Sequence, residues 1–134
     1  MRSGLALAVA LATACGGRLA APPDDLVGTW GGENAGVVVT EAAAHVHIGC
    51  TLGDTSGPIL LAVDGTFDVA GSYNVDAYPV DRGILHPARF TGRVVGRQMT
   101  LTVTLTDTTL QLGPAVLTFG REPEMGTCPI CRED

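Results

Sequence analysis

From Leu26 onward apolar residues alternate with threonine or charged residues at a period of two, and no stretch carries the spacing of an amphipathic helix. The clearest run is Met99-Thr100-Leu101-Thr102-Val103-Thr104-Leu105-Thr106. Successive side chains of an extended backbone point to opposite faces, so one face of this run packs and the other meets water. Ala88-Arg89-Phe90-Thr91-Gly92-Arg93-Val94 alternates in the same way, and Gly96 supplies the break for a tight reversal between the two. The pair predicts an antiparallel hairpin. A second hairpin is predicted around Asp64-Gly65, between Ile59-Leu60-Leu61-Ala62-Val63 and Thr66-Phe67-Asp68-Val69-Ala70-Gly71, with Ile59, Leu61, Phe67 and Val69 turned inward. Val37-Val38-Val39 and His45-Val46-His47-Ile48 flank Glu41-Ala42-Ala43 as a further up-and-down pair. Leu26 to Trp30 opens the domain, and Ala115 to Phe119 closes it.

These segments amount to about eight strands joined mostly by short turns, which predicts a single small antiparallel up-and-down β-barrel. Closure removes the exposed edges that Val- and Thr-rich strands would otherwise offer to other chains. One long connection, Tyr73 to Pro87, holds both tyrosines, Pro79, Asp81, Arg82 and His86, and loops of that length often carry function.

Composition narrows the picture. Of the residues, 46% are hydrophobic but only 4% aromatic, so the core rests on Val, Leu, Ile and Ala with few aromatic anchors. The net charge is −6, and all eight basic residues are arginine, scattered singly at Arg82, Arg89, Arg93, Arg97 and Arg121 along the domain. A nucleic-acid or anionic-membrane surface needs clustered cations, so neither is expected as a partner through charge.

The amino-terminal segment reads differently. Arg2 precedes Leu5-Ala6-Leu7-Ala8-Val9-Ala10-Leu11, an apolar run of signal-peptide length that is too short for a permanent membrane span. Ala12-Thr13-Ala14-Cys15-Gly16-Gly17 follows and resembles the lipobox of bacterial lipoproteins, in which the cysteine is diacylated and becomes the new amino terminus. This family prefers leucine where Ala12 stands, and Ala12-Thr13-Ala14 also reads as an ordinary A-x-A secretory site. The expected organisation is a signal peptide over 1–14, a lipidated Cys15 with a flexible tether over 15–25, and a barrel over 26–134. The expected location is a bacterial cell envelope, anchored by lipid on the periplasmic or extracellular side, with plain secretion as the alternative.

Leu26-Val27-Gly28-Thr29-Trp30 resembles the G-x-W opening of lipocalin-like barrels, whose tryptophan plugs the closed end. Together with Trp30-Gly31-Gly32, Ile48-Gly49-Cys50, Gly65-Thr66-Phe67-Asp68-Val69, His86-Pro87-Ala88-Arg89 and Met99-Thr100-Leu101-Thr102-Val103, the chain is similar to a family of small bacterial lipoprotein or secreted β-barrels without an assigned function. The resemblance spans most of Leu26 to Cys128 and transfers no active site. It implies a disulfide between Cys50 and Cys128, a bridge suited to an oxidising compartment.

Candidate chemistry is sparse. With Cys15 lipidated, three cysteines remain, and a Cys50–Cys128 bridge leaves Cys131 over. Cys128-Pro129-Ile130-Cys131 is a C-x-x-C, but without a following helix to depress a thiol pKa. His45 and His47 share one strand face, while parity puts Cys50 on the inward face with Val46 and Ile48. A zinc knuckle would lack ligands, and the histidines read as solvent-facing, with no metal expected. Ser56 and Ser72 have no G-x-S-x-G setting, and His86 with Asp81 and Tyr78 is an acid–base cluster only by proximity. No catalytic residue and no cofactor are expected.

The expectation is therefore a non-enzymatic envelope lipoprotein whose barrel binds a small apolar ligand or a protein partner. Its alternatives are an interaction or inhibitor protein acting through the 73–87 loop, with Tyr73, Tyr78, Arg82 and His86 as candidate binding residues, and a purely structural protein. Whether Val37, Val46, Ile48, Leu61, Phe67, Phe90, Met99 and Leu101 fill the interior decides between a solid barrel and a ligand chamber.

Overall fold

A computed structural model describes residues 26–128. The expectations for the leader, Cys15, the tether and Cys131 lie outside those residues. Within them the chain is all-β: β1 Gly28–Gly32, β2 Ala35–Val39, β3 Ala44–Ile48, β4 Thr51–Thr55, β5 Thr66–Asn74, β6 His86–Val95, β7 Gln98–Leu105 and β8 Gln111–Phe119. Each strand pairs antiparallel with the next, and β1 pairs with β8, closing an eight-stranded up-and-down barrel. The closing seam is short, with Trp30 opposite Phe119 and Gly31 opposite Thr118.

Simple up-and-down order sorts the connections into two ends. The proximal end, where the chain comes in at Leu26, carries the β2–β3 turn, the β4–β5 loop over 56–65 and the Gly96-Arg97 turn. The distal end carries the Glu33-Asn34 and Gly49-Cys50 turns, the 75–85 loop and the 106–110 loop.

Period-two alternation is visible in β7, where Met99, Leu101, Val103 and Leu105 are buried and Gln98 and Thr100 are exposed. Trp30, Val37, Val46, Tyr73, Phe90 and Leu117 join them among the largest fully buried side chains, so the barrel interior is packed with side chains. Of the expected fillers, Val37, Val46, Phe67, Phe90, Met99 and Leu101 are buried, while Ile48 and Leu61 are partly buried against the core. Trp30 is 0% exposed; its indole Nε1–H donates to the Leu26 carbonyl at 3.0 Å and its ring meets Phe119 edge-on. Burying these side chains is the main favourable contribution to the fold, roughly 1.5–3 kcal/mol for each large one.

The strands differ from the sequence reading between β4 and β5. Ile59 to Val63 is not a strand; it belongs to the 56–65 loop, although Ile59 is buried and Leu61 packs on the core. The strand that pairs with β5 there is Thr51-Leu52-Gly53-Asp54-Thr55, whose glycine and aspartate look like turn residues. Gly53 is needed because a Cβ would overlap the Tyr73 ring and the Ser72 carbonyl. Phe67 lies over Gly92 in the same way, with a Cβ there placed 2.8 Å from its Cζ. Aromatic rings laid over strand glycines thus account for glycines that local propensity would read as breaks.

After β8 the chain does not leave the barrel. Residues 121–127 run back as a strap along the outer face of β1 and β2. Glu124 donates its N–H to the Gly32 carbonyl at 3.0 Å and accepts from Asn34 N–H at 2.8 Å, and Gly126 N–H reaches Asn34 Oδ1. Gly31 and Gly36 are cross-strand partners on that face. A Cβ on Gly31 would overlap the Arg121 carbonyl, and one on Gly36 would sit 2.5 Å from Pro123 Cγ, so the glycine pair makes the platform on which the strap lies. A disulfide between Cys50 and Cys128, Cα atoms 5.5 Å apart, pins the strap at the distal end. Cys50 lies beyond the end of β3, past a Gly49 with φ of 58°, so strand alternation assigns it no face.

Candidate functional site

Two features stand out from the packed barrel. The first is a polar cluster on the outer face of β3 and β4. Ala44 and Val46 point inward, so His45 and His47 point outward, and the register places His45 opposite Asp54 and His47 opposite Leu52. Asp54 Oδ1 accepts from His45 Nδ1–H at 2.6 Å. The carboxylate thereby fixes a proton on Nδ1, so in neutral His45 the lone pair lies on Nε2. That Nε2 is 2.9 Å from His47 Nε2, with the rings edge to face at 4.8 Å between centroids. Burial, and then the charge of His45, pull the His47 pKa below its ordinary value, against an upward pull from Asp54.

The two imidazoles form one wall of a hollow of about 190 Å³. Gly36, Val37 and Val38 of β2 and Pro123 and Met125 of the strap complete it. The hollow exists because the strap stands over the outer face. Sequence reasoning placed the two histidines on one face but missed Asp54, because β4 was not recognised, and missed Met125, because residues 121–127 have no strand pattern. Among the described residues, no three His, Cys, Asp or Glu side chains converge in a way that could hold a metal ion. Cys50 is taken up by its bridge to Cys128.

The second feature is the distal 75–85 loop. It is shorter than the expected Tyr73 to Pro87 connection because β5 runs to Asn74 and β6 begins at His86. Tyr73 is consequently no loop residue. It is 0% exposed inside the barrel, its hydroxyl 2.9 Å from Thr51 Oγ1, and burial pushes its phenol pKa up. Tyr78 and Arg82 are exposed in the loop, and His86, at the start of β6, pairs through Nδ1 with Asp107 Oδ2 at 2.9 Å. Asp81 faces neither His86 nor Tyr78 as a partner: its Oδ1 accepts from Gly83 N–H at 2.7 Å and from the buried Asn74 Nδ2 at 2.9 Å. These bonds hold the Asp81 carboxyl below the usual aspartate range, the Gly83 N–H contributing most. The acid–base cluster suggested by proximity is not assembled.

What the loop does present is apolar. Val80 and Leu85 are 60% and 62% exposed, and Tyr78 and Ile84 are exposed beside them. The polar network beneath, from Asn74 through Asp81 to Gly83, holds the loop in shape while its apolar side chains face solvent.

Compared with known proteins, the chain matches no family model, no curated protein and no solved structure.

Proposed function

We propose that the protein is a non-enzymatic envelope module, tethered through Cys15, whose barrel is a rigid stand that presents the 75–85 loop to a protein partner. The observation that carries this reading is the pairing of a side-chain-filled interior with an apolar, internally braced loop at the distal end. A filled interior offers a small apolar ligand no obvious chamber, which favours the protein-partner arm over the ligand arm. Exposed aromatic and aliphatic side chains that share the loop with the exposed Asp76 and Arg82 have the make-up of an interaction patch, apolar with polar neighbours. The loop also lies at the opposite end from Leu26, so a tether running from Cys15 would leave it facing away from the point of attachment. The lipobox-like Ala12 to Gly17 segment supports that attachment.

The test is site-specific photo-crosslinking in cells with the probe at position 80. A discrete protein adduct is expected, and it should disappear when Ile84→Asp and Leu85→Asp are combined in a chain that keeps its thermal midpoint. A probe at position 80 that gives no adduct, or an adduct indifferent to those substitutions, would leave the barrel a purely structural envelope component.

A further inference from the structure

We propose that the outer face of β3 is a transition-metal site, with His45 Nε2 and His47 Nε2 as its two protein nitrogens and Cu(II) as its preferred ion. The argument is independent of the loop and begins with the two nitrogens. Nitrogens 2.9 Å apart, each about 2.0–2.1 Å from one metal ion, subtend about 90° at it. That is the cis angle of a square-planar or tetragonal centre, the geometry favoured by Cu(II) and Ni(II). Of the divalent ions that suit imidazole, Cu(II) also forms the most stable complexes.

The surroundings fit the same purpose. Asp54 on Nδ1 of His45 is the carboxylate–imidazole arrangement that orients a ligating ring. In the neutral pair His47 Nε2–H donates to His45 Nε2; for a metal ion to bind, that proton leaves Nε2 to solvent and His47 takes up the Nδ1–H tautomer, after which each ring offers an Nε2 lone pair. Met125 lines the same hollow. With no third imidazole, thiolate or carboxylate converging among the described residues, the remaining equatorial positions fall to water or a small anion. The site is therefore open and exchangeable, unlike a closed structural zinc site.

The experiment uses the full chain with its Cys50–Cys128 bridge intact and free thiols blocked by iodoacetamide, titrated with copper(II) chloride and read by electron paramagnetic resonance. One equivalent should bind with hyperfine splitting from two imidazole nitrogens, and Zn(II) should compete poorly. His45→Gln and His47→Gln should each remove the two-nitrogen signature. Asp54→Asn should keep that signature while weakening affinity about 10- to 100-fold. A second measurement needs no variant: substoichiometric Cu(II) should broaden the nuclear magnetic resonances of His45, His47, Val38 and Met125 before any others. Copper that binds equally well without the histidines, or first broadens residues elsewhere, overturns the proposal.

Discussion

The two halves of the barrel are built differently. Strands β5 to β8 run eight to ten residues each and pair along nearly their whole length. Strands β1 to β4 are five residues each, hold Gly31, Gly32, Gly36 and Gly53, and are reinforced from outside by the strap and the Cys50–Cys128 bridge. A long strand pair carries its own stability through cross-strand contacts, whereas a short glycine-containing pair depends on what is laid over it. The contrast explains where chemistry collects. The histidine pair sits in the half that needed an external cover, because the cover creates the hollow beside it.

The largest test of this contrast is a cut into the long half. Phe90 is fully buried, touches Tyr73 with ring centroids 6.0 Å apart and comes from the middle of β6. Phe90→Ala should cost about 3–5 kcal/mol of global stability, measured by denaturant unfolding, to the same extent in oxidised and reduced protein. Redox-dependent cost would show that the halves are not separable in this sense.

The next test removes the cover. The bridge closes a loop with a sequence separation of 78, and the paired change Cys50→Ser, Cys128→Ser should cost about 2–5 kcal/mol. Its distinguishing sign is local: amide exchange should rise in β1, β2 and the strap well before β6 and β7. Uniform loss of protection through all strands would contradict the picture of a self-sufficient half and a covered one.

The smallest effect concerns the one long connection in the regular half. Asp81 titrates below the ordinary aspartate value of 3.8 because Gly83 and Asn74 donate to its carboxylate. Its contribution is therefore complete above that ordinary value and is lost as pH falls through its own lower one. Acidification in that window should lower the protection factor of the Gly83 amide, its exchange rate taken relative to the intrinsic rate at each pH, while β6 and β7 stay protected, and Asp81→Asn should show the lowered protection at neutral pH.

The same contrast governs what could be read from the chain. Met99 to Thr106 was legible because β7 is long, alternates without interruption and packs one face. The barrel and its strand number followed from such runs. Thr51 to Thr55 was not legible, since its strand character comes from Tyr73 lying over Gly53, a contact between residues 20 positions apart. The neighbouring Ile59 to Val63 run is more hydrophobic and took its place in the reading, although it forms no strand: Ile59 is buried and Leu61 packs on the core, while Leu60 and Val63 face solvent. Tyr73 looked like a loop anchor because the end of β5 is set by pairing with β4 and β6, not by a local stop signal. The His45–Asp54 contact was hidden for the same reason: it becomes visible only when β4 is in register.

The narrow seam between β1 and β8 has a mechanical meaning. Two residue pairs hold β1 to β8, five hold it to β2, and the strap crosses above. A pull applied at Leu26 would load β1 lengthwise, in shear against β2, while the bridged strap shields its outer side. Strands loaded in shear must break many hydrogen bonds together, so this is the stiff direction of the molecule. The same force applied sideways at Phe119 would peel the seam one rung at a time. Holding the chain from its amino-terminal side therefore directs strain along the barrel's stronger axis.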